Sequence, residues 1–336
     1  MMPEFGFPSQ PRNHSMALIV SALRERSDSA RVESVTGRFE DVTSRLGGSV
    51  SELMQIEKTL GDLKGFSDTI ALAEARANVT QKSLSRIREI AQALADTTDL
   101  LSTNGTTLDF EAVSSQAREE LGSIVSALNV QFAGRPLFSG DDGNGSAIAD
   151  QTTVFASAVP ILEAGAIPSA GYADLITAFT SAGATFDTSI YLGGAGDAPP
   201  ALIAPGESVD YSVKADETPL RTVLANIAAL GAAFDTSNAI PDAQRKSIAQ
   251  LAAAGLRSDI SSIIGIEGRV GAAESRVATI KARNTASEAS LTIAFNDLAG
   301  ADQLNSAIEL TELERQLETA FATTARMSNL SLVNFL

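Results

Sequence analysis

Apolar residues in this chain recur at alternating steps of three and four, beginning near the N-terminus. Val32, Val35, Phe39, Val42, Leu46, Ser49, Leu53, Ile56, Leu60 and Leu63 hold that spacing over ten positions. A stripe of this kind is a heptad seam, which one helix can bury only against another. Gly37, Gly47, Gly48, Gly61 and Gly65 fall along it, each weakening a helix by roughly 1 kcal/mol relative to Ala. Gly47-Gly48 is a candidate turn. The stripe resumes in a shifted register at Phe66, Ile70, Ala73, Ala77, Thr80, Leu84, Ile87, Ala91 and Leu94. The short step from Leu63 to Phe66 is either a stammer, which overwinds a coiled coil locally, or a helix boundary near Gly65. Residues 97–107 (TTDLLSTNGTT) read as a polar turn. Residues 108–129 read as a helix with Val113, Ala117, Leu121, Ile124 and Leu128 on one face.

The C-terminal stretch has a seam of its own. Leu310, Leu313, Leu317, Ala320, Thr324 and Met327 step by three and four, while Glu309, Glu312, Glu314, Arg315 and Glu318 stay off the stripe. Leu330, Leu332, Val333, Phe335 and Leu336 form an apolar tip. Chain ends are ordinarily polar and frayed, so this tip predicts burial against another subunit. Upstream, a helical pattern starts near Ala243 and carries Ile248, Leu251, Leu256, Ile260, Ile263, Ile264, Val270, Val277 and Ile280. Gly265 and Gly268 are expected to break or bend it. Residues 286–295 continue it, and residues 297–300 are expected to interrupt it before the last heptad.

Proline divides these arms from the centre. Three of the 11 prolines, Pro3, Pro8 and Pro11, lie at the start, and the rest fall between Pro136 and Pro241. An interior proline costs a helix about 3 kcal/mol, so the proline-free stretches 12–135 and 242–336 are expected to be helical. The centre is rich in Gly, Pro, Ser and Thr. Residues 208–215 alternate Val209, Tyr211, Val213 and Ala215, the pattern of a half-buried strand. Residues 151–159 and 189–192 are weaker strand candidates. Residues 172–182 and 219–234 are expected to be helices, the latter through Leu220, Val223, Leu224, Ile227 and Leu230.

The expected fold is therefore mainly α. Long N- and C-terminal helical arms pair as a coiled coil or helical bundle, with a small mixed α/β insert between them. Its parts are a disordered or partly helical arm (1–30), an N-terminal helical region (31–135), an insert with strands (136–241), a C-terminal helical region (242–300) and a final coiled-coil helix with an apolar tip (301–336). Across 336 residues there are 25 Lys and Arg against 41 Asp and Glu, a net charge of −16. That balance argues against nucleic acid, whose phosphates need clustered cations. There is no Cys, which excludes disulfides and thiol chemistry. The low aromatic share and the abundance of Ala fit long helices. Residues 1–15 are polar and contain proline, and residues 17–20 are too short an apolar run to span a bilayer. No cleaved export signal and no membrane insertion are expected, and Met16 is an alternative start.

No catalytic constellation is visible. His14 stands alone, with no second His or Cys to share a metal. The run Asp141-Asp142-Gly143-Asn144-Gly145 lacks the alternating ligands and distal Glu of a calcium loop, so it is expected to be a turn. Glu119-Glu120 falls on a solvated helix face, and residues 193–196 (GGAG) are expected to be flexible loop. Arg86 lies three residues before Glu89, close enough to pair on an exposed face. No enzyme activity, cofactor or metal is expected.

Several stretches resemble the bacterial flagellin family. Residues 84–91 (LSRIREIA) are similar to a helix stretch of that family, through Leu84, Arg86, Arg88 and Glu89. Residues 127–140 (ALNVQFAGRPLFSG) resemble the segment that closes its first arm, with Pro136 in place of an aromatic. Residues 203–224 (IAPGESVDYSVKADETPLRTVL) resemble a segment before the second arm in junction-type members, and residues 329–336 (NLSLVNFL) resemble their tail. The family's N-terminal signature is reduced to residues 44–49 (SRLGGS), which favours hook–filament junction members over the filament subunit. The resemblance implies a structural subunit exported unfolded through the flagellar type III apparatus, with an export chaperone. It implies self-association in a ring or tube, with flagellin and other hook-associated proteins as partners. It also implies that residues 32–46 pair with residues 310–327. The assembly interface would then comprise Val32, Val35, Phe39, Val42, Leu46, Leu310, Leu313, Leu317, Phe321, Met327, Leu330, Leu332, Phe335 and Leu336. A host-receptor contact through residues 84–89 follows by the same analogy. A filament subunit and a secreted coiled-coil binding module are the alternatives.

Overall fold

The structure is a computed structural model that describes residues 10–42, 50–143 and 145–333. The chain divides into two compact units, residues 1–64 with 285–336 and residues 65–284. The fold is mainly α, with two small antiparallel sheets among the described residues.

In the first unit, α1 (Gln10–Thr36) packs against α8 (Gln303–Val333). The pairing is antiparallel, because Arg26 meets Glu309 at 2.8 Å while Glu33 accepts from the Ser306 hydroxyl at 3.3 Å. Gly37 ends α1 in the left-handed region at φ 67°, the usual service of glycine at a helix C-terminus. Arg38 then bridges to Gly300, and the Phe39 amide donates to Ala299 O at 3.0 Å. The unit is completed by the start of α2 (Val50–Asn104) and the end of α7 (Asp242–Ala299). Leu53, Ile56, Phe295 and Ala299 make its buried cluster, joined by Val42, Leu60 and Leu291.

The ten-position heptad therefore does not run through one helix. Gly37 breaks it after Val35, and in its second half Leu53, Ile56 and Leu63 are buried and Leu60 half-buried. The seam that α1 turns toward α8 is a different one. Met16, Val20, Leu23, Ser27, Ala30 and Ser34 are its less exposed positions, with Ala30 fully buried. Those residues also step by four and three. Val32 and Val35 lie off this seam, 40% and 75% exposed. Within this chain α8 packs on α1 along the seam from Met16 to Ser34.

In the second unit, the rest of α2 lies with α3 (Thr107–Leu128), α6 (Thr218–Ala233) and α7 around one core. The shifted stripe from Ile70 to Leu94 is buried throughout, as are Val113, Ala117, Leu121, Ile124 and Leu128. Neither Gly65 nor Gly61 interrupts α2, and neither Gly265 nor Gly268 interrupts α7. At each of these four a Cβ would meet nothing within 4 Å. Gly61→Ala and Gly65→Ala should each stabilise the chain by roughly 0.5–1 kcal/mol, since only backbone freedom changes. Thermal unfolding checks this, and a lowered melting temperature would mean that the helix needs those glycines. The turn expected over residues 97–107 shrinks to Gly105 and Thr106. Thr106 caps α3 by a reciprocal pair of bonds with Asp109, the arrangement that satisfies two orphan amides at once.

The insert is more helical than its composition predicted. Residues 151–159, a strand candidate, belong to α4 (Gln151–Ala164). Asp150 caps it by accepting from the Thr153 amide at 2.8 Å, and Val154, Ala158 and Leu162 face the core at steps of four. Helix α5 (Pro168–Thr180) follows, then a single π-helical turn (Phe186–Ile190) where residues 189–192 were expected to be strand. Tyr191 keeps one isolated bridge to Ile148. The expected strand 208–215 is short: β3 (Ala201–Ala204) pairs with β4 (Glu207–Val209). This hairpin packs on Ile70 and Ala73 of α2 and on Val277 and Ile280 of α7. Another hairpin, β1 (Gln131–Phe132) with β2 (Arg135–Pro136), turns through Ala133 and Gly134. Both have positive φ, 51° and 77°, as a two-residue hairpin loop of this hand requires.

Candidate assembly interface

On α8, Leu313 is 2% exposed, with Leu310, Leu317 and Ala320 half-buried at heptad spacing beside it. Polar groups frame the α1–α8 contact. Besides the Arg26 and Glu33 contacts, Gln303 Nε2 donates to Val35 O at 3.4 Å. Arg24 lies 5.1 Å from the centroid of the Phe321 ring, within range of a cation–π attraction. A pair of helices buries one stripe of each and leaves the remainder open. Here the open faces carry Leu18, Ile19, Val32 and Val35 on α1 and Leu304 and Ile308 on α8. Phe39 and Val42, both half-buried, lie in the turn after α1. Leu46, the side chains of Met327, Leu330 and Leu332, and Phe335 and Leu336 lie outside the described residues.

The helix motif in α2 divides between core and surface. Leu84 is fully buried. Arg88 Nε reaches both carboxylate oxygens of Glu267 at 3.2 Å. Arg86 does not pair with Glu89. It reaches Glu120 at 3.5 Å, and Glu89 accepts from the Ser85 hydroxyl at 3.3 Å. Local spacing favoured Arg86 with Glu89, but the packing of α3 supplies a nearer carboxylate.

The segment 137–140 (LFSG) is a junction within the second unit. Leu137, Phe138 and Ser139 are buried. Phe138 O accepts from the Ala215 amide at 2.9 Å, and Ser139 O from the Gly194 amide at 2.8 Å. The Asp141 amide donates to Gly196 O at 3.0 Å, and Asp141 Oδ1 accepts from the Gly196 amide at 3.1 Å. Residues 193–196 are thus pinned, contrary to the flexible loop expected of them. Tyr191 donates to Gly194 O at 2.9 Å, and burial raises its phenol above the usual range. Lys214 joins the same loop, donating to Ala195 O at 3.0 Å and pairing with Asp216 at 3.3 Å. Arg221 pairs with Asp187 at 2.7 Å and lies over the Phe186 ring. The sequence marked this segment only through the resemblance of residues 127–140 to the flagellin family, and gave no sign of its partners.

A cleft of 410 Å³ opens beside α3, α4 and α6, lined by Phe155, Val159, Pro160 and the paired Arg118 and Asp235. Among the described residues, no group of three or more His, Cys, Asp or Glu is placed to hold a metal ion. None of their helices is long and apolar enough to cross a membrane.

No protein-family model and no curated protein matches this chain by sequence. Solved structures do match it. One is a protein from Vibrio parahaemolyticus assigned as a flagellar hook-associated protein, with a TM-score of 0.55 at 13% identity. The match covers 76% of this chain and 99% of that one. The two chains share a fold. At that identity the likeness lies in the arrangement of helices, not in shared side chains.

Proposed function

We propose that this protein is a structural subunit of the bacterial flagellum, a hook-associated protein that joins hook to filament. The observation that carries the reading is the mainly α fold, which 76% of this chain shares with a solved structure described as a flagellar hook-associated protein. The resemblance of residues 84–91, 127–140 and 329–336 to the flagellin family supports it independently of fold. The role is mechanical rather than catalytic. The α1–α8 pair leaves apolar residues open on both helices, and contacts between like subunits would cover them. Head-to-tail repetition of such a contact generates an open helical array, or a ring when one layer is added. In this reading the chain is exported through the type III apparatus with a chaperone, acts outside the cell, and meets flagellin and other hook-associated proteins. The insert, residues 136–241, faces outward.

Immunogold electron microscopy of flagella, with antibody raised against residues 136–241, tests this. Label confined to one point between hook and filament is expected. Label along the filament would make the protein a filament subunit. Flagella without label would discard the flagellar reading and favour a secreted binding module.

A further inference from the structure

One buried carboxylate in the second unit has no counter-charge. Asp259 of α7 is 7% exposed, and among the described residues it has no ion-pair partner. It is held by neutral donors: Thr222 Oγ1 at 2.6 Å and Asn226 Nδ2 at 2.7 Å, both from α6. Asn226 Oδ1 in turn accepts from the Tyr172 hydroxyl of α5 at 2.7 Å. A three-helix seam thus closes on one carboxyl group. Gly255, one turn before Asp259, lets it close. A Cβ there would lie 2.5 Å from the Tyr172 oxygen and 2.6 Å from both polar atoms of Asn226.

Three cations on the surrounding elements are paired with other carboxylates. Arg221 of α6 pairs with Asp187 and Asp216. Arg257 of α7 pairs with Asp99 of α2, and Arg269 with Glu217. Asp174 of α5 is exposed. Tyr172 is the remaining titratable group at the seam, its phenol pushed up to about 12 by burial and then by the Asp259 charge. Removing a carboxylate from water without a counter-charge is costly, whereas a protonated carboxyl can remain in the seam and donate a hydrogen bond of its own.

We propose that the α5–α6–α7 seam is a proton-linked latch, in which uptake of one proton by Asp259 tightens the packing of α5 and α6 on α7. Burial pushes the Asp259 carboxyl up to about 6, against the pull of the bonds from Thr222 and Asn226. A raised carboxyl adds stability that is fully present below the unfolded value and is lost as pH rises through the folded value. The window therefore runs from about pH 4 to a little above pH 6. Mild acidification closes the latch, and neutral conditions load it with a buried charge.

The test uses the full chain and hydrogen exchange of the α5 amides, corrected for the intrinsic pH dependence of exchange. Wild type should show on the order of tenfold greater α5 protection at about pH 5 than at about pH 7.5. Asp259→Asn should abolish that difference and give the protected level at both values. Carbon NMR of the wild-type aspartate carboxyls should also find one group titrating clearly above about pH 5. The proposal is overturned if wild-type α5 protection is the same at both values, if Asp259→Asn keeps the tenfold difference, or if every aspartate titrates in the ordinary range. The carboxyl titration uses wild type alone, so it decides the matter even if the variant does not fold.

Discussion

Leu313→Asp is expected to separate α1 from α8. Leu313 is the most buried apolar residue that α8 contributes to the pair. Losing its side chain forfeits the burial of a leucine and leaves a gap, at a cost of roughly 2–5 kcal/mol. Aspartate adds an unpaired carboxylate, because the nearby cations are placed otherwise. Arg26 is committed to Glu309, and Arg315 to Glu312 on the exposed side of α8. The first unit has a small core, so on the order of 4 kcal/mol is a large share of what holds α1 in place. Hydrogen exchange along α1 should accelerate strongly, while the second unit keeps its protection. Leu317→Asp, at a half-buried position, should act in the same direction with a smaller effect. If the proposed role holds, Leu313→Asp subunits also fail to join flagella, read by the same gold label. Unchanged α1 exchange in Leu313→Asp would show that this seam is not what holds the pair.

Gly140→Val should destabilise the second unit by roughly 3 kcal/mol or more, from two additive causes. Gly140 adopts φ 68°, a conformation that costs an L-residue about 1–2 kcal/mol. A Cβ there would also lie 2.3 Å from Gly196 O and 2.9 Å from Lys214 Cδ. The first obstacle is backbone and cannot swing aside. The loop 193–196 must then retreat from residues 139–141, with the loss of bonds on both sides of the glycine. Gly206→Val separates the two causes, because Gly206 has φ 70° but open space around its would-be Cβ. It should cost only the conformational part. Urea unfolding followed by far-ultraviolet circular dichroism gives both values. Equal destabilisation by the two variants would remove the steric argument and with it the junction role given to residues 137–140.

The arms were legible because their signal is periodic and local. Proline-free stretches with steps of three and four predicted helices, and the buried stripe from Ile70 to Leu94 kept its register in the structure. The misreadings came from treating pattern as continuity. The heptad from Val32 to Leu63 crosses Gly37, where the chain takes a left-handed turn, so spacing persisted where the helix did not. The true seam of α1, from Met16 to Ser34, has the same spacing. Its Ser27, Ala30 and Ser34 are too small or polar to form a hydrophobic stripe in the sequence. In the insert, Asp150 placed a helix cap before residues 151–159, and that signal outweighs the Thr and Val content that reads as strand.

The helices of the proline-free arms and the break near residue 300 were determined by the sequence alone, since each depends on neighbours along the chain. The register of α1 on α8, the pinning of residues 193–196 by residues 139–141, and the closure of Thr222, Asn226 and Tyr172 around Asp259 were decided only by the tertiary structure. Each of these joins groups far apart in sequence, and no local spacing specifies which distant donor will meet a given carbonyl or carboxylate. Burial then sets how strongly that meeting counts, because the same bond that is nearly neutral in water governs stability once water is excluded.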